Sequence, residues 1–158
     1  PTIAAITGAC TGGGASIAAC CDIRVSDDRL KFGFPIARTL GNCLSAANLA
    51  RLSSLLWPAR VKELIFTARL MGAEEARAAG LLAEIAAGPL ARATEIAETV
   101  AGHAPLTLRA TKEAMRRNAC AAPEVDDRDL IALCYMSEDF REGMEAFLGK
   151  RQPEWKGR

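Results

Sequence analysis

Thr2-Ile3-Ala4-Ala5-Ile6-Thr7 is a short apolar, partly β-branched run that stops at Gly8, the pattern of a strand covered on both faces. A glycine-rich turn follows and ends in Gly12-Gly13-Gly14. Ala15 to Cys21 are then small and apolar, as in a short buried helix that opens at those glycines. Asp22-Ile23-Arg24-Val25 and Leu30-Lys31-Phe32 alternate with period two around the turn-like Ser26-Asp27-Asp28, which predicts two half-buried strands. The opening order is strand, helix, strand, strand.

Outward from this block the pattern turns helical. Pro35 breaks the strand pattern, and a helix is expected after Gly41-Asn42 through Leu56, ended by Pro58, with a second through Thr67. Ala73 to Ala79 reads as a short helix capped by Gly80, before the strand-like Leu81 to Ile85. Pro89 and Pro105 each suit a first helical turn, and Leu90 to Val100 and Leu106 to Ala119 carry apolar residues at helical spacing. Pro123 opens a third such segment toward Met136. The shift from mixed α/β to helical composition near residue 88 divides the chain into 1–88 and 89–158. A buried-type strand stands at Pro1 with nothing before it, so the N-terminus reads as cut.

With 50% hydrophobic and 25% charged residues the chain has the composition of a globular domain. A net charge of +1, with both signs interspersed, gives no field for nucleic acid or an anionic membrane. A small molecule or a protein is the expected partner. The six cysteines are scattered without a Cys-x-x-Cys pair or a Cys/His cluster, so no disulfide framework and no metal site is expected, and a reducing cytoplasm fits. No apolar run is long enough to span a bilayer. His103, the one histidine, stands just before Pro105 with no nucleophile or acid spaced for a triad.

Gly12-Gly13-Gly14 is the feature with chemical reach. Between a strand and a helix it permits close backbone approach and leaves unpaired N–H groups at the positive end of the helix, where a developing negative charge is stabilised. The competing reading is a tight structural turn. A phosphate loop needs Gly-Lys-Ser/Thr next, and a dinucleotide loop a third glycine where Ile17 stands; neither is present.

Several ordered motifs together are more specific than the triplet. Pro1 to Gly8, Gly12-Gly13-Gly14, Cys21-Asp22-Ile23-Arg24 and Phe32-Gly33-Phe34-Pro35 closely resemble the core signature of the crotonase family, the enoyl-CoA hydratases and isomerases. The resemblance continues through Arg51-Leu52, Thr67-Ala68-Arg69, Ala73-Glu74-Glu75-Ala76 and Ala79-Gly80-Leu81-Leu82 to Ser137-Glu138-Asp139, Glu142-Gly143, Ala146-Phe147 and Lys150-Arg151. It implies an α/β fold, a crotonase-like spiral of ββα units whose N-terminal part is missing here, followed by a helical region that builds trimers and hexamers. It also implies an acyl-CoA thioester as substrate, with no cofactor beyond the CoA of the substrate itself. By this similarity the Gly13 N–H is one of two oxyanion donors, worth about 3–4 kcal/mol in the transition state, and its partner donor lies upstream of residue 1. Gly12 and Pro35 border the substrate, and Phe147 and Lys150 match positions near the nucleotide end of CoA, where a cation suits the phosphates.

The sequence departs from the family where protons move. Hydration of an enoyl thioester asks two carboxylates to activate water and to protonate the α carbon, and the matching positions hold Ser16 and Ile36. Isoleucine moves no proton, and an isolated serine is too weak a base. Ser16 is expected to orient water or substrate, or simply to fill a helix-packing site. Arg38, Thr39 and Asn42 are candidates for the acyl end of the pocket, Arg38 as partner of a substrate carboxylate. Asp22, Asp27 and Asp28 read as turn and backbone-pairing residues. Two functions remain open: an acyl-CoA-processing enzyme of unconventional proton chemistry, or a non-catalytic acyl-CoA-binding or assembly scaffold.

Overall fold

The computed structural model describes residues 1–120, 126 and 128–158. Five strands and the helices between them open the chain: β1 (Ile3–Ile6), β2 (Ala9–Thr11), α1 (Gly13–Cys20), β3 (Ile23–Ser26), β4 (Lys31–Gly33), α2 (Ile36–Thr39), α3 (Ala46–Leu56), α4 (Pro58–Thr67), α5 (Ala73–Ala78) and β5 (Glu84–Ile85). Helices α6 (Pro89–Ala101), α7 (Pro105–Cys120), α8 (Arg128–Tyr135) and α9 (Glu138–Leu148) complete it.

The strands alternate between two parallel sheets. One has the order β1-β3-β5, with Ile3 opposite Ile23 and Val25 opposite Glu84; the other pairs β2 with β4, Ala9 opposite Lys31 and Thr11 opposite Gly33. The repeating unit is strand, strand, helix: β1-β2-α1, then β3-β4-α2. Each unit changes sheets at a sharp bend. At the first, Gly8 adopts φ +67°, a left-handed conformation open to glycine, and donates its N–H to Asp27 Oδ1 at 2.9 Å. That bond comes first among the causes that hold the Asp27 carboxyl below its usual range, with Arg29 adding to it against the effect of burial.

Five sequence expectations are corrected. The glycine-rich turn contains strand β2, because Ala9-Cys10-Thr11 is too short to show a period. Pro35 starts a short helix, α2, rather than only ending a strand, since its ring suits the start of a helix. Helix α3 begins at Ala46, later than Gly41-Asn42, with Ser45 Oγ accepting the Asn48 N–H at 3.4 Å as its cap. Leu81 and Leu82 are buried in the core ahead of the two-residue β5 instead of extending it. The expected half-buried strand at 22–25 is Ile23–Ser26 and is buried at three of its four positions, because sheets and helices cover both faces. The helix start expected at Pro123 lies outside the described residues; α8 runs from Arg128.

The core gathers Leu30, Phe32, Phe34, Leu56, Met71 and Leu81, all nearly solvent-free, with the Phe32 and Phe34 rings edge to face at 6.0 Å. Burial of each such side chain contributes about 1.5–3 kcal/mol. Ala15, Ala18 and Ala19 give α1 a small-residue face that lets it sit close on β2 and α3. Arg24 is buried without a carboxylate; it donates to the carbonyls of Leu81 (2.7 Å), Cys21 and Ala18 and so ties β3, α1 and the 81–82 segment together. Burial pushes its guanidinium pKa down. The compositional division at residue 88 falls at the start of α6, and α6 lies against β1 and β3.

The C-terminal helix returns to the loop after β4. Gly143 on α9 lies so close to Leu40 that a Cβ there would sit 2.6 Å from the Leu40 carbonyl oxygen. Asn42 Nδ2 donates to the Tyr135 hydroxyl at 3.1 Å, and the Cys43 thiol to the Leu130 carbonyl at 3.7 Å. Helices α8 and α9 therefore hold the segment 40–43 that follows the Pro35 turn.

Candidate active site

The two β2/β4 strands run parallel, so their C-terminal ends open on the same side, where such sheets bind ligands. Gly12 ends β2 with φ +54° and donates its N–H to the Gly33 carbonyl at 3.1 Å, at the end of β4. Its carbonyl accepts the Ser16 N–H at 3.0 Å, which closes the first turn of α1. The Gly13 and Gly14 N–H groups have no acceptor among the described residues. Both glycines are solvent-exposed, and a Cβ on Gly12, Gly13 or Gly14 would meet no protein atom within 4 Å. The α1 first turn carries no acidic side chain to neutralise the helix end. One amide of the triplet is spent on the sheet edge, and the next belongs to a solvent-exposed residue and has no acceptor among the described residues.

The bond from Gly12 to Gly33 fixes what stands next to that amide: Gly33-Phe34-Pro35-Ile36, leaving the partner strand. Phe34 goes into the core, while Ile36 opens α2 and is buried at one wall of a cavity of about 350 Å³. Ala37, Asn42, Cys43 and Leu44 continue that wall, and Leu49, Ser53, Pro58, Val61, Lys62, Ile65 and Phe66 from α3 and α4 close it. No carboxylate is among the lining residues, and Lys62 is the one charged group.

Ser16 lies half-buried in the first turn of α1, and its hydroxyl has no hydrogen-bond partner among the described residues. Asn42 lines the cavity, with its amide oxygen buried and unpaired. Arg38 is exposed on the last turn of α2 and is not a cavity residue. Phe147 and Lys150 are exposed at the end of α9, away from any cavity lining described here. His103 is exposed in the turn between α6 and α7. Asp22 accepts the Thr2 N–H at 2.6 Å and the Lys112 ammonium at 2.7 Å; burial pushes its pKa up, but these donors outweigh it and hold the carboxyl low. It fastens β1, as its sequence context suggests. Lys62 and Tyr135 were not singled out in the sequence. The available signal for Lys62 was its helix face, where Pro58, Ala59, Ile65 and Phe66, the neighbours at three and four residues, are all uncharged.

A family model described as enoyl-CoA hydratase/isomerase matches residues 1–158. The 2,3-dehydroadipyl-CoA hydratase of Escherichia coli (strain K12) is 34% identical, with 100% of this chain aligned to 64% of that protein. The crotonyl-CoA hydratase of Syntrophomonas wolfei is also 34% identical, over 96% of this chain and 60% of its own length. Among solved structures, methylmalonyl-CoA decarboxylase in complex with 2-nitronate-propionyl-CoA superposes with a TM-score of 0.91 at 28% identity, covering 100% of this chain and 63% of that one. A carnitinyl-CoA dehydratase from Mycobacterium avium 104 gives 0.83 at 30%, covering 100% and 64%. The chain thus spans 60–64% of the length of these relatives.

Proposed function

This chain belongs to the enoyl-CoA hydratase/isomerase family, and on that premise we propose that it binds an acyl-CoA thioester with the carbonyl oxygen on the Gly13 N–H and stabilises the enolate formed there. The observation that carries the reading is the asymmetry of the glycine triplet: the Gly12 amide is tied to Gly33, whereas Gly13 is solvent-exposed and its N–H has no acceptor among the described residues. A backbone donor held at a helix N-terminus needs no reorganisation as charge develops on the oxygen. The charge is carried by fixed backbone dipoles, so the reading calls on no metal or redox group.

Gly12 and Pro35 border the thioester in this reading, and Ile36 and Asn42 border the acyl group. Ser16 orients the substrate or a water molecule. Phe147 and Lys150 meet the nucleotide end of CoA, Lys150 through its charge on the phosphates, in a homotrimer or hexamer whose subunits bury the exposed Leu133, Met136, Phe147 and Leu148. Two-carboxylate hydration and one-carboxylate isomerisation are not part of the proposal, because the cavity wall presents Ile36 and no acid.

Gly13→Ala tests it. The added methyl meets no protein atom within 4 Å, so the fold accepts it, while a carbonyl seated on the amide is displaced. By calorimetry, acyl-CoA affinity should fall at least about tenfold, the worth of one hydrogen bond near 1.4 kcal/mol; unchanged affinity refutes the assignment. A second reading, a non-catalytic acyl-CoA-binding or assembly scaffold, is favoured by Ser16 and Ile36 themselves. Loss of the enoyl-thioester ultraviolet band on mixing with crotonyl-CoA at ordinary hydratase rates would exclude it.

A further inference from the structure

We infer that the cavity beside Ile36 takes an acyl group with a carboxylate at its far end, and that Lys62 is the residue that selects it. The inference rests on the proposed seat of the thioester at Gly13 and adds to it the class of acyl chain. A chain that leaves the thioester past Ile36 enters a space walled by Leu44, Leu49, Val61, Ile65 and Phe66. Methylenes suit those walls. At about 350 Å³ the space exceeds what a short acyl group fills.

The charge of the cavity is one-sided. Lys62 is its one ionised residue, and the ammonium has no carboxylate partner among the described residues. The neighbouring Glu63 is taken: Arg69 donates to both of its carboxylate oxygens, at 2.5 and 2.7 Å. Arg60 and Arg69 also engage Glu75, so the acids near Lys62 in sequence and on the next helix are satisfied by arginines. Along its own helix face Lys62 has only Pro58, Ala59, Ile65 and Phe66 at three and four residues. Its stem can lie along those apolar groups with the ammonium at the cavity mouth, and a substrate carboxylate supplies the pairing that the protein withholds. Lys62 is solvent-exposed, so its ammonium is hydrated in the free protein and a substrate carboxylate adds a modest ion pair, whereas a chain ending in a cation is repelled.

The test compares this chain's affinity for glutaryl-, adipyl- and suberyl-CoA with that for pentanoyl-, hexanoyl- and octanoyl-CoA, pairs of equal length that differ by the terminal carboxylate. The dicarboxylic member of at least one pair should bind about fivefold tighter or better at low salt, with the preference shrinking as salt rises. Lys62→Met should erase the preference within each pair; Lys62→Arg should keep it. Equal binding within every pair, or a preference that survives Lys62→Met, overturns the inference and leaves the Gly13 reading standing. Failure of every thioester to bind removes the Gly13 reading and this one with it.

Discussion

Gly143→Ala is a substitution whose sign is set by a single close approach. In a helix interior, replacing glycine by alanine stabilises by about 1 kcal/mol. At Gly143, however, the new Cβ would lie 2.6 Å from the Leu40 carbonyl oxygen, 2.8 Å from its carbon and 2.9 Å from its Cα. All three are backbone atoms, so no rotamer change relieves the clash. An ordinary carbon–oxygen contact of about 3.3 Å requires α9 to withdraw by roughly 0.7 Å. The helix is held against such a shift by the buried Ala146, by Ser137 capping the Phe140 N–H at 3.0 Å, and by the Glu138 and Asp139 amides donating to the Arg158 carbonyl. Overpacking of this kind costs about 1–3 kcal/mol, and the propensity gain offsets part of it. The expected net loss, up to about 2 kcal/mol, lowers Tm by up to about 4–8 °C for a domain of this size. Gly14→Ala, in α1 with open space around the added methyl, is the control and should raise Tm slightly. Thermal denaturation followed by circular dichroism reads both. A Gly143→Ala protein that melts at or above the parent would show that α9 does not press on Leu40, and with it would go the argument that α9 fixes the segment after Pro35.

Two further outcomes follow from strained or charged positions. Trp57 combines φ +64° and ψ 144°, a region that glycine occupies freely and other residues do not, with 79% exposure of its side chain. Trp57→Gly should raise the unfolding free energy by about 1 kcal/mol, and with it the urea midpoint, after the entropy of the added glycine is set against the strain; a lower midpoint contradicts the strain. Glu142 is held at about 2 by the Arg151 guanidinium first and then by the Glu154 N–H. A depressed carboxyl contributes stability that is complete above its unfolded value near 4.3 and is lost as pH falls through about 2. In a Trp57→Phe background Trp155 is the one tryptophan, packed beside Gly41, and its emission should shift to the red between those values, whereas Glu142→Gln should be shifted already at pH 7. Emission that stays constant down to pH 2 refutes the tether.

The helices were the legible part of the fold. Pro89 and Pro105 mark two helix starts as expected, whereas Pro58, read as the end of α3, opens α4; apolar spacing carries α6 and α7 to within a residue or two of their ends. The strands were less legible because their identity here is tertiary. Ala9-Cys10-Thr11 becomes β2 through pairing with Lys31-Phe32-Gly33, a partner twenty-two residues away that no local period announces. The site divided in the same way. The glycine triplet at the start of a helix was readable, but which of its amides stays unpaired was not, because the Gly12 N–H is taken by Gly33 across the sheet. The cavity was not, because its walls come from α2, α3 and α4, and Lys62 acquires meaning only when Ile36 and Phe66 are brought to the same space.

That division bears on how such a site changes. The donor at residue 13 is a backbone group, set by the Gly12 conformation and its bond to Gly33, both of which the β2/β4 pairing enforces. Side chains at 16 and 36 do not enter that bond: Ser16 contributes to the turn through its N–H, and Ile36 through the backbone start of α2. In the proposed reading, exchange of either side chain would therefore leave the geometry of the Gly13 N–H in place. Ile36 goes further, because an apolar group there joins the Phe34 and Leu52 core on one side and the cavity on the other, where an ionised carboxylate would face desolvation without a partner. In the proposed reading, Ile36 in place of a carboxylate would thus also extend the apolar wall along which the acyl chain would run toward Lys62.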